Sequence, residues 1–299
     1  MSLFRAYRAH EALITPARSK AQVWRLVIGV ILIAGVFLLA NQFLHQSLFT
    51  LLGSESYGAL TGRDGQMSQL SVVFLLLSFG LLTVAVTVAL KVAHNRGISA
   101  VFGNATLFRS QFTVVMLMLV ILNAAVFALP PWDMGAPLVP NVNFGAWLVV
   151  LPFAIVAIIV QVSAEEILFR GYLQQQLAAR FRSPLIFLLV PSVLFGLGHY
   201  MPEEAGENAN IIMVWSVIFG VLMADLTARA GTLGPAIAVH FVNNVIAILF
   251  VSMPDSLSGL ALYLSPFALT DTQELRAWLP VEFAMMVVTW LAARLAIRR

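Results

Sequence analysis

The 299-residue chain contains no cysteine. That excludes disulfides, thiolate metal sites and a cysteine nucleophile. Charge is nearly as scarce: 17 Lys and Arg with 14 Asp and Glu make up 10% of the residues, against 60% hydrophobic. Mean hydropathy is +0.92. A water-soluble domain cannot hide that much apolar surface, so the expected class is an all-α, polytopic helical membrane protein. Several chemistries lack their residues. Glycine-rich phosphate loops are absent. The string nearest to His-Glu-x-x-His, His10-Glu11-Ala12-Leu13-Ile14, has no second histidine. No serine sits in a Gly-x-Ser-x-Gly setting, and Asp64 has no second intramembrane aspartate to pair with. The basic balance, pI about 9.6, is not read as a nucleic-acid signal, because basic residues in such a chain mainly set topology.

Eight apolar spans are expected, at roughly Val27–Leu44, Leu70–Val92, Phe112–Leu129, Phe144–Phe169, Pro184–Tyr200, Ile211–Leu226, Pro235–Val251 and Val281–Ile297. Ser183 before Pro184 reads as a capping hydroxyl, and Pro235 and Pro280 read as residues near helix starts. Fifteen of the 17 basic residues fall on one side of these spans, and only Arg63 and Arg276 on the other. Both termini are therefore expected in the cytoplasm, with the chain multi-pass in a bacterial inner membrane. The organisation expected is a basic N-terminal segment (1–25), three spans (26–143), a four-helix core (144–252), and an outer loop with the last span (253–299). The first span is expected to stay as an uncleaved anchor. Before it, Leu3, Phe4 and Tyr7 interleave with Arg5 and Arg8, a pattern that suits an amphipathic helix on an anionic inner leaflet.

Ionisable groups inside spans mark functional sites or self-neutralising pairs. They concentrate from Phe144 to Val251: Glu165, Glu166, His199, Asp225, His240, Asn243 and Asn244. Glu166 and Arg170 are i,i+4 with the acid first, the favoured order for a helical ion pair. Glu165 points about 100° away around the helix and has no local partner. Phe195 and His199 share a face at i,i+4, as do His240 and Asn244. Glu165 and His199 are equidistant from a turn near Arg182, so antiparallel helices place them level, roughly 25 Å from the hairpin tip. The polar stretch Tyr172–Arg182 is expected to protrude into the cytoplasm, with the four groups one to two turns below the cytoplasmic surface. Such a cluster suits hydrolysis. Glu165 takes a proton from water, His199 orients that water or protonates the leaving amine, and His240 with Asn244 stabilises an oxyanion. Arg170 keeps Glu166 charged.

Glu165-Glu166-x-x-x-Arg170, Phe195-x-x-x-His199 and His240-x-x-x-Asn244, in order on successive spans, resemble the CPBP family of intramembrane endopeptidases, the CAAX proteases and bacteriocin-processing (Abi) proteins. The resemblance covers about Phe144 to Val251. It implies that Glu165 and His199 activate water, that His240 and Asn244 form the oxyanion site, and that Glu166, Arg170 and Phe195 support them. The eukaryotic prenyl-protein branch carries a cysteine near the asparagine. This chain has Val242-Asn243 there and no cysteine anywhere, so it resembles the prokaryotic branch. The implied partners are a peptide or lipidated protein substrate and the bilayer. No cofactor is required by the resemblance, although Glu165, His199 and His240 with a water would make an open site for a divalent metal such as zinc.

Two other functions use the same residues. One is a non-catalytic, immunity-like pseudo-protease that binds a peptide, and the intact motifs argue against it. The other is a proton-coupled transporter titrating Glu165. Against that, the polar groups cluster toward one side and no inverted repeat is visible. Asp225 and Arg229, i,i+4, read as a structural pair, and Asn243 as packing.

Overall fold

The computed structural model describes residues 6–62, 67–130 and 136–298. Leu3, Phe4, Arg5, Arg63 and Asp64 lie outside them. Eight helices follow in order: α1 (Val23–Thr61), α2 (Gln69–His94), α3 (Ala105–Ala128), α4 (Phe144–Arg180), α5 (Pro184–Leu197), α6 (Ala209–Ala230), α7 (Gly234–Phe250) and α8 (Thr272–Ala296). Among the described residues six helices are long and apolar enough to cross a membrane, while α5 and α7 are shorter apolar helices. The chain is a polytopic helical protein. Among the described residues its strands are three two-residue pieces, β1 (Val139–Pro140), β2 (Val251–Ser252) and β3 (Tyr263–Leu264), in the order β1-β3-β2. They tie together the loops that precede α4 and follow α7.

Most helices run beyond their apolar stretches, because hydropathy registers only the part that suits lipid. Thus α1 continues past Leu44 and bends at Gly53, whose φ of 75° is open to glycine without strain. The returning turn brings Tyr57 Oη to His45 Nδ1 at 2.9 Å. Side chains begin several helices. Asn143 Oδ1 accepts from Gly145 N at 2.9 Å, Asn104 Oδ1 from Leu107 N at 3.0 Å, and Ser68 Oγ from Ser71 N at 3.1 Å. The expected Ser183 cap is not made: Ser183 is extended before Pro184, but its hydroxyl bonds no helix N–H. Pro280 is also not at a helix start. It lies inside α8, which begins at Thr272 on a polar first turn.

At the centre of the bundle α4 packs against α2 and α7, with Ala154, Ala157, Ile158, Val162 and Ala164 fully buried. Small side chains let neighbouring backbones come close where lipid gives no hydrophobic drive between helices. The α5–α6 contact is closer still. A Cβ on Gly196 would fall 2.8 Å from Met213 O, and one on Gly220 would fall 2.9 Å from Ser192 Cβ. These two glycines set the height and angle of α5, and so of Phe195 and His199.

The cytoplasmic side is more closely packed than expected. Residues Arg8–Lys20 are not free of the bundle: they form three short helical turns that dock on it, with His10, Leu13 and Ala17 buried. Tyr7 Oη donates to Asp225 Oδ1 at 2.7 Å. Nor does Tyr172–Arg182 protrude as a solvated tip, because Tyr172, Gln174, Gln175 and Gln176 are buried. Part of this polarity is met by protein: Gln174 Nε2 donates to Ala224 O at 3.0 Å, and Gln175 Nε2 to Val101 O at 2.8 Å, while the Gln176 amide has no hydrogen-bond partner. Gln175 Oε1 accepts from Arg96 at 2.9 Å. Hydrogen-bonded amides are far less costly to bury than unpaired ones.

Burial of His10 under this docked segment pushes its pKa down to about 4. The unfolded chain binds that proton near pH 6.5. Between about pH 6.5 and 4 the unfolded state therefore holds more protons, and stability falls as pH falls. In detergent, acidification across this window is expected to lower the unfolding midpoint, with on the order of 3 kcal/mol at stake. His10→Phe should flatten the pH dependence of that midpoint, and an unchanged slope would contradict the assignment.

Candidate active site

Glu165 and Glu166 are consecutive, so the helix sends one toward the core and the other toward a cavity. Glu166 is 0% exposed. Its Oε1 lies 3.0 Å from Arg170 NH1 and 2.9 Å from His240 Nδ1. Arg170, also buried, donates a second bond from NH2 to Gly220 O at 3.1 Å and stands 4.8 Å over the Phe195 ring. The expected Glu166–Arg170 pair is therefore present, and it links α4 to α5, α6 and α7. It lies where α4 widens into a π-helical segment, Ile167–Leu173, a local geometry that recurs at functional sites.

His240 receives Glu166 on Nδ1 and turns Nε2 toward Glu165 Oε2, 3.6 Å away. Phe195 and Phe219 flank the imidazole edge-on, with ring centroids 6.0 and 5.2 Å away. A carboxylate accepts only, so Nδ1 carries the proton in this arrangement. Nε2 is then free to take a proton, or to donate one once the ring is charged. His199 shows the same logic. Its Nδ1 lies 2.9 Å from Phe195 O, a carbonyl that can only accept, so its Nε2 is left unengaged. The Phe195 and His199 rings are 4.4 Å apart, so the shared face read from the sequence fixes both.

Glu165, His199 and Asn244 line one cavity of about 1030 Å³. Gln161, Phe195 and Ile248 line it as well. Asn244 does not meet His240. Its Nδ2 donates to Gln161 Oε1 at 2.9 Å, and its Oδ1 accepts from Asn243 at 3.3 Å. Gln161 was not singled out from the sequence, although its i,i+4 spacing to Glu165 puts both on one face of α4. Glu165 Oε2 is buried without a hydrogen-bond partner. Asp225 and Arg229 pair at 2.8 Å away from this cluster, and Asp225 also accepts from Trp290 at 3.1 Å, so the pair fastens α8.

The arrangement offers a carboxylate whose Oε2 accepts no hydrogen bond, an imidazole, His240, whose Nε2 lies 3.6 Å from it, a second imidazole, His199, with Nε2 unengaged, and a fixed amide. It does not offer a three-ligand metal site. No group of three His, Cys, Asp or Glu among the described residues could hold a metal ion, and His240 gives one nitrogen to Glu166.

Removing Arg170 leaves the buried Glu166 carboxylate with His240 alone. Arg170→Met is expected to destabilise the fold by about 3–5 kcal/mol, the cost of orphaning a buried charge. Thermal unfolding in detergent checks this, and a near-neutral change would show that the pair is not what ties these helices.

Three comparisons bear on this geometry. Residues 143–246 match the family described as "Type II CAAX prenyl endopeptidase Rce1-like". A curated relative from Bacillus subtilis (strain 168), "Uncharacterized protein YyaK", is 29% identical over 119 residues, which is 40% of this chain. The aligned stretch spans about two fifths of that relative, 39% of its length. No solved structure matches. The matched segment, 143–246, carries Gln161, Glu165, Glu166, Arg170, Phe195, His199, His240 and Asn244, and its likeness to that family is consistent with a CPBP family intramembrane protease.

Proposed function

We propose that this protein is an intramembrane endopeptidase that hydrolyses a peptide bond of a membrane-associated or lipid-modified, CAAX-like peptide. It would act in the bacterial inner membrane, in keeping with the distribution of basic residues. The observation that carries this reading is the cavity wall. There Glu165, His199 and Asn244 face one space, with His240 held between Glu165 and Glu166.

In this reading Glu165 takes a proton from a water molecule, and the hydroxide adds to the scissile carbonyl. His199, its Nδ1 committed to Phe195 O, accepts a hydrogen bond from that water on Nε2 and later takes the proton from Glu165 and passes it to the leaving amine. The oxyanion is met by the second N–H of Asn244 and by Nε2–H of His240 in its charged form. Glu166 fixes the ring's orientation by accepting from the opposite nitrogen. Collapse of the intermediate breaks the C–N bond, and the amine leaves with the proton first taken from water. Gln161 enters as a positioning residue. By holding one N–H of Asn244 it aims the other at the cavity.

Cleavage of a panel of fluorogenic peptides, plain and farnesylated, tests this. Glu165→Gln and His199→Ala should each lower kcat by about 10²–10⁴. Asn244→Ala should lower it by roughly 10²–10³ with little change in KM, as loss of an oxyanion donor does. Detergent-purified variants that keep wild-type turnover would overturn the mechanism. Gln161→Leu is expected to lower kcat with KM unchanged, and Gln161→Glu, which restores the acceptor, to recover part of it. A rise in KM alone would make Gln161 a binding residue.

A further inference from the structure

A second cavity, of about 400 Å³, lies on the side of the bundle that carries the basic residues. Four parts of the chain enclose it: the docked N-terminal segment, the start of α3, the turn between α6 and α7, and the end of α8. It shares no lining residue with the cavity that holds Glu165. Ala9 and Gly231 both line it, and the backbones there are in close contact. Gly231 has a φ of 72°, and a Cβ on it would fall 2.5 Å from Ala9 O. A Cβ on Gly103 would fall 2.6 Å from Gly231 O. Gln111 fixes the adjoining wall: its Nε2 donates to Ala230 O at 3.2 Å, and its Oε1 accepts from Thr232 Oγ1 at 2.5 Å.

The polar groups left over are of one sign. Arg298 lines the cavity and is exposed, and among the described residues its side chain has no ion-pair or hydrogen-bond partner. Ser110 adds a hydroxyl. No carboxylate is on the wall. The acid of the docked segment, Glu11, is already engaged by Arg18, whose Nη2 donates to its Oε2 at 2.9 Å. In sequence, Arg8 and Arg109 adjoin the lining residues Ala9 and Ser110. The opposite edge is apolar. Leu107 and Val114 line the cavity while 44% and 43% exposed. Leu117 and Ile121, also exposed, continue their face of α3 at helical spacing. A cationic recess therefore opens onto an apolar stripe that runs into the bilayer.

We propose that this cavity binds an anionic phospholipid of the inner leaflet. Its phosphoryl group sits against Arg298 and Ser110, and an acyl chain follows the Leu107–Ile121 face of α3. Guanidinium and phosphate form strong charge-assisted bonds, and basic groups at this surface are drawn to anionic lipid. A zwitterionic headgroup brings its own cation to a wall with no carboxylate to meet it. A free anion leaves the apolar face uncovered. The bound lipid joins the docked segment to α3 and α8, and rests on the turn that starts α7, the helix of His240.

The test uses the full chain, delipidated in neutral detergent and titrated with phosphatidylglycerol, with bound lipid counted by native mass spectrometry. The expected result is retention of phosphatidylglycerol at concentrations where phosphatidylcholine is lost. Arg298→Gln should weaken that retention by about tenfold, the loss of one charge-assisted contact. Ser110→Trp, which fills the cavity and keeps Arg298, should weaken it as well. Arg180→Gln removes an exposed cation outside the cavity and should leave retention unchanged. Inorganic phosphate at the same concentration as the lipid should displace none of it. Equal retention of phosphatidylcholine, unaltered retention by Arg298→Gln or Ser110→Trp, or an equal loss in Arg180→Gln would overturn the proposal. Displacement by inorganic phosphate would overturn it too, by making the ligand a free anion. None of these residues takes part in hydrolysis, so the outcome is independent of the peptidase assay.

Discussion

The structure hangs on one carboxylate. Glu166 is wholly buried, and a buried charge is tolerable only when paired and hydrogen-bonded. Its partners come from two directions: Arg170 from the next turn of α4, and His240 from α7. Arg170 then spends its remaining reach on Gly220 O of α6 and the face of Phe195 on α5. Four helices are thereby held to one point. The same interaction sets the chemistry, because engaging His240 on Nδ1 leaves Nε2 facing Glu165. Fold and candidate site are thus one constraint. Glu166 fixes the scaffold, and its neighbour, 100° around the helix, is left for the cavity.

The legible parts were the local ones. Glu166 with Arg170 and Asp225 with Arg229 are i,i+4 on one helix, where spacing alone dictates contact, and Phe195 with His199 keeps that spacing across the end of α5. The segment that resembles the family was also legible, since three motifs in order need no tertiary information, and the matched residues 143–246 fall almost where the motifs do. What crosses between helices was less so. His240 and Asn244 share a face, but His240 turns to Glu166 and Asn244 to Gln161. That division depends on how α7 rotates against α4. Gln161 was within reach of the same i,i+4 rule, counted backwards from Glu165. It was passed over because an uncharged amide in a Val- and Ile-rich run carries little signal.

The cytoplasmic side misled for a physical reason. Polarity and an amphipathic pattern say that a segment has an apolar face and a polar face, but not what covers the first. Leu13 and Ala17 were free to meet lipid or protein, and they meet protein. The three consecutive glutamines looked solvated because amides prefer water. Gln174 and Gln175 are buried where Ala224 O, Val101 O and Arg96 lie within hydrogen-bond reach of them. A side chain with both donor and acceptor is the polar group most easily satisfied indoors.

The two short helices explain why a wet site can exist at this depth. From Pro184 to Leu197, α5 rises only about 21 Å, less than the roughly 30 Å of a bilayer's hydrocarbon core. Its end therefore leaves irregular backbone at membrane depth, which is tolerated only where protein buries it or where it lines a cavity. Gly198, His199 and Met201, the residues just past that end, do line the cavity. Along α7 the same economy places His240 only about 9 Å above the start of the helix, at the level where α4 presents Glu165. A full-length α5 would carry His199 on continuous helix and fill the space with apolar side chains. Shortening it substitutes a histidine-bearing turn for that wall, and gives Glu165 a polar neighbour across a space that protein, not lipid, encloses.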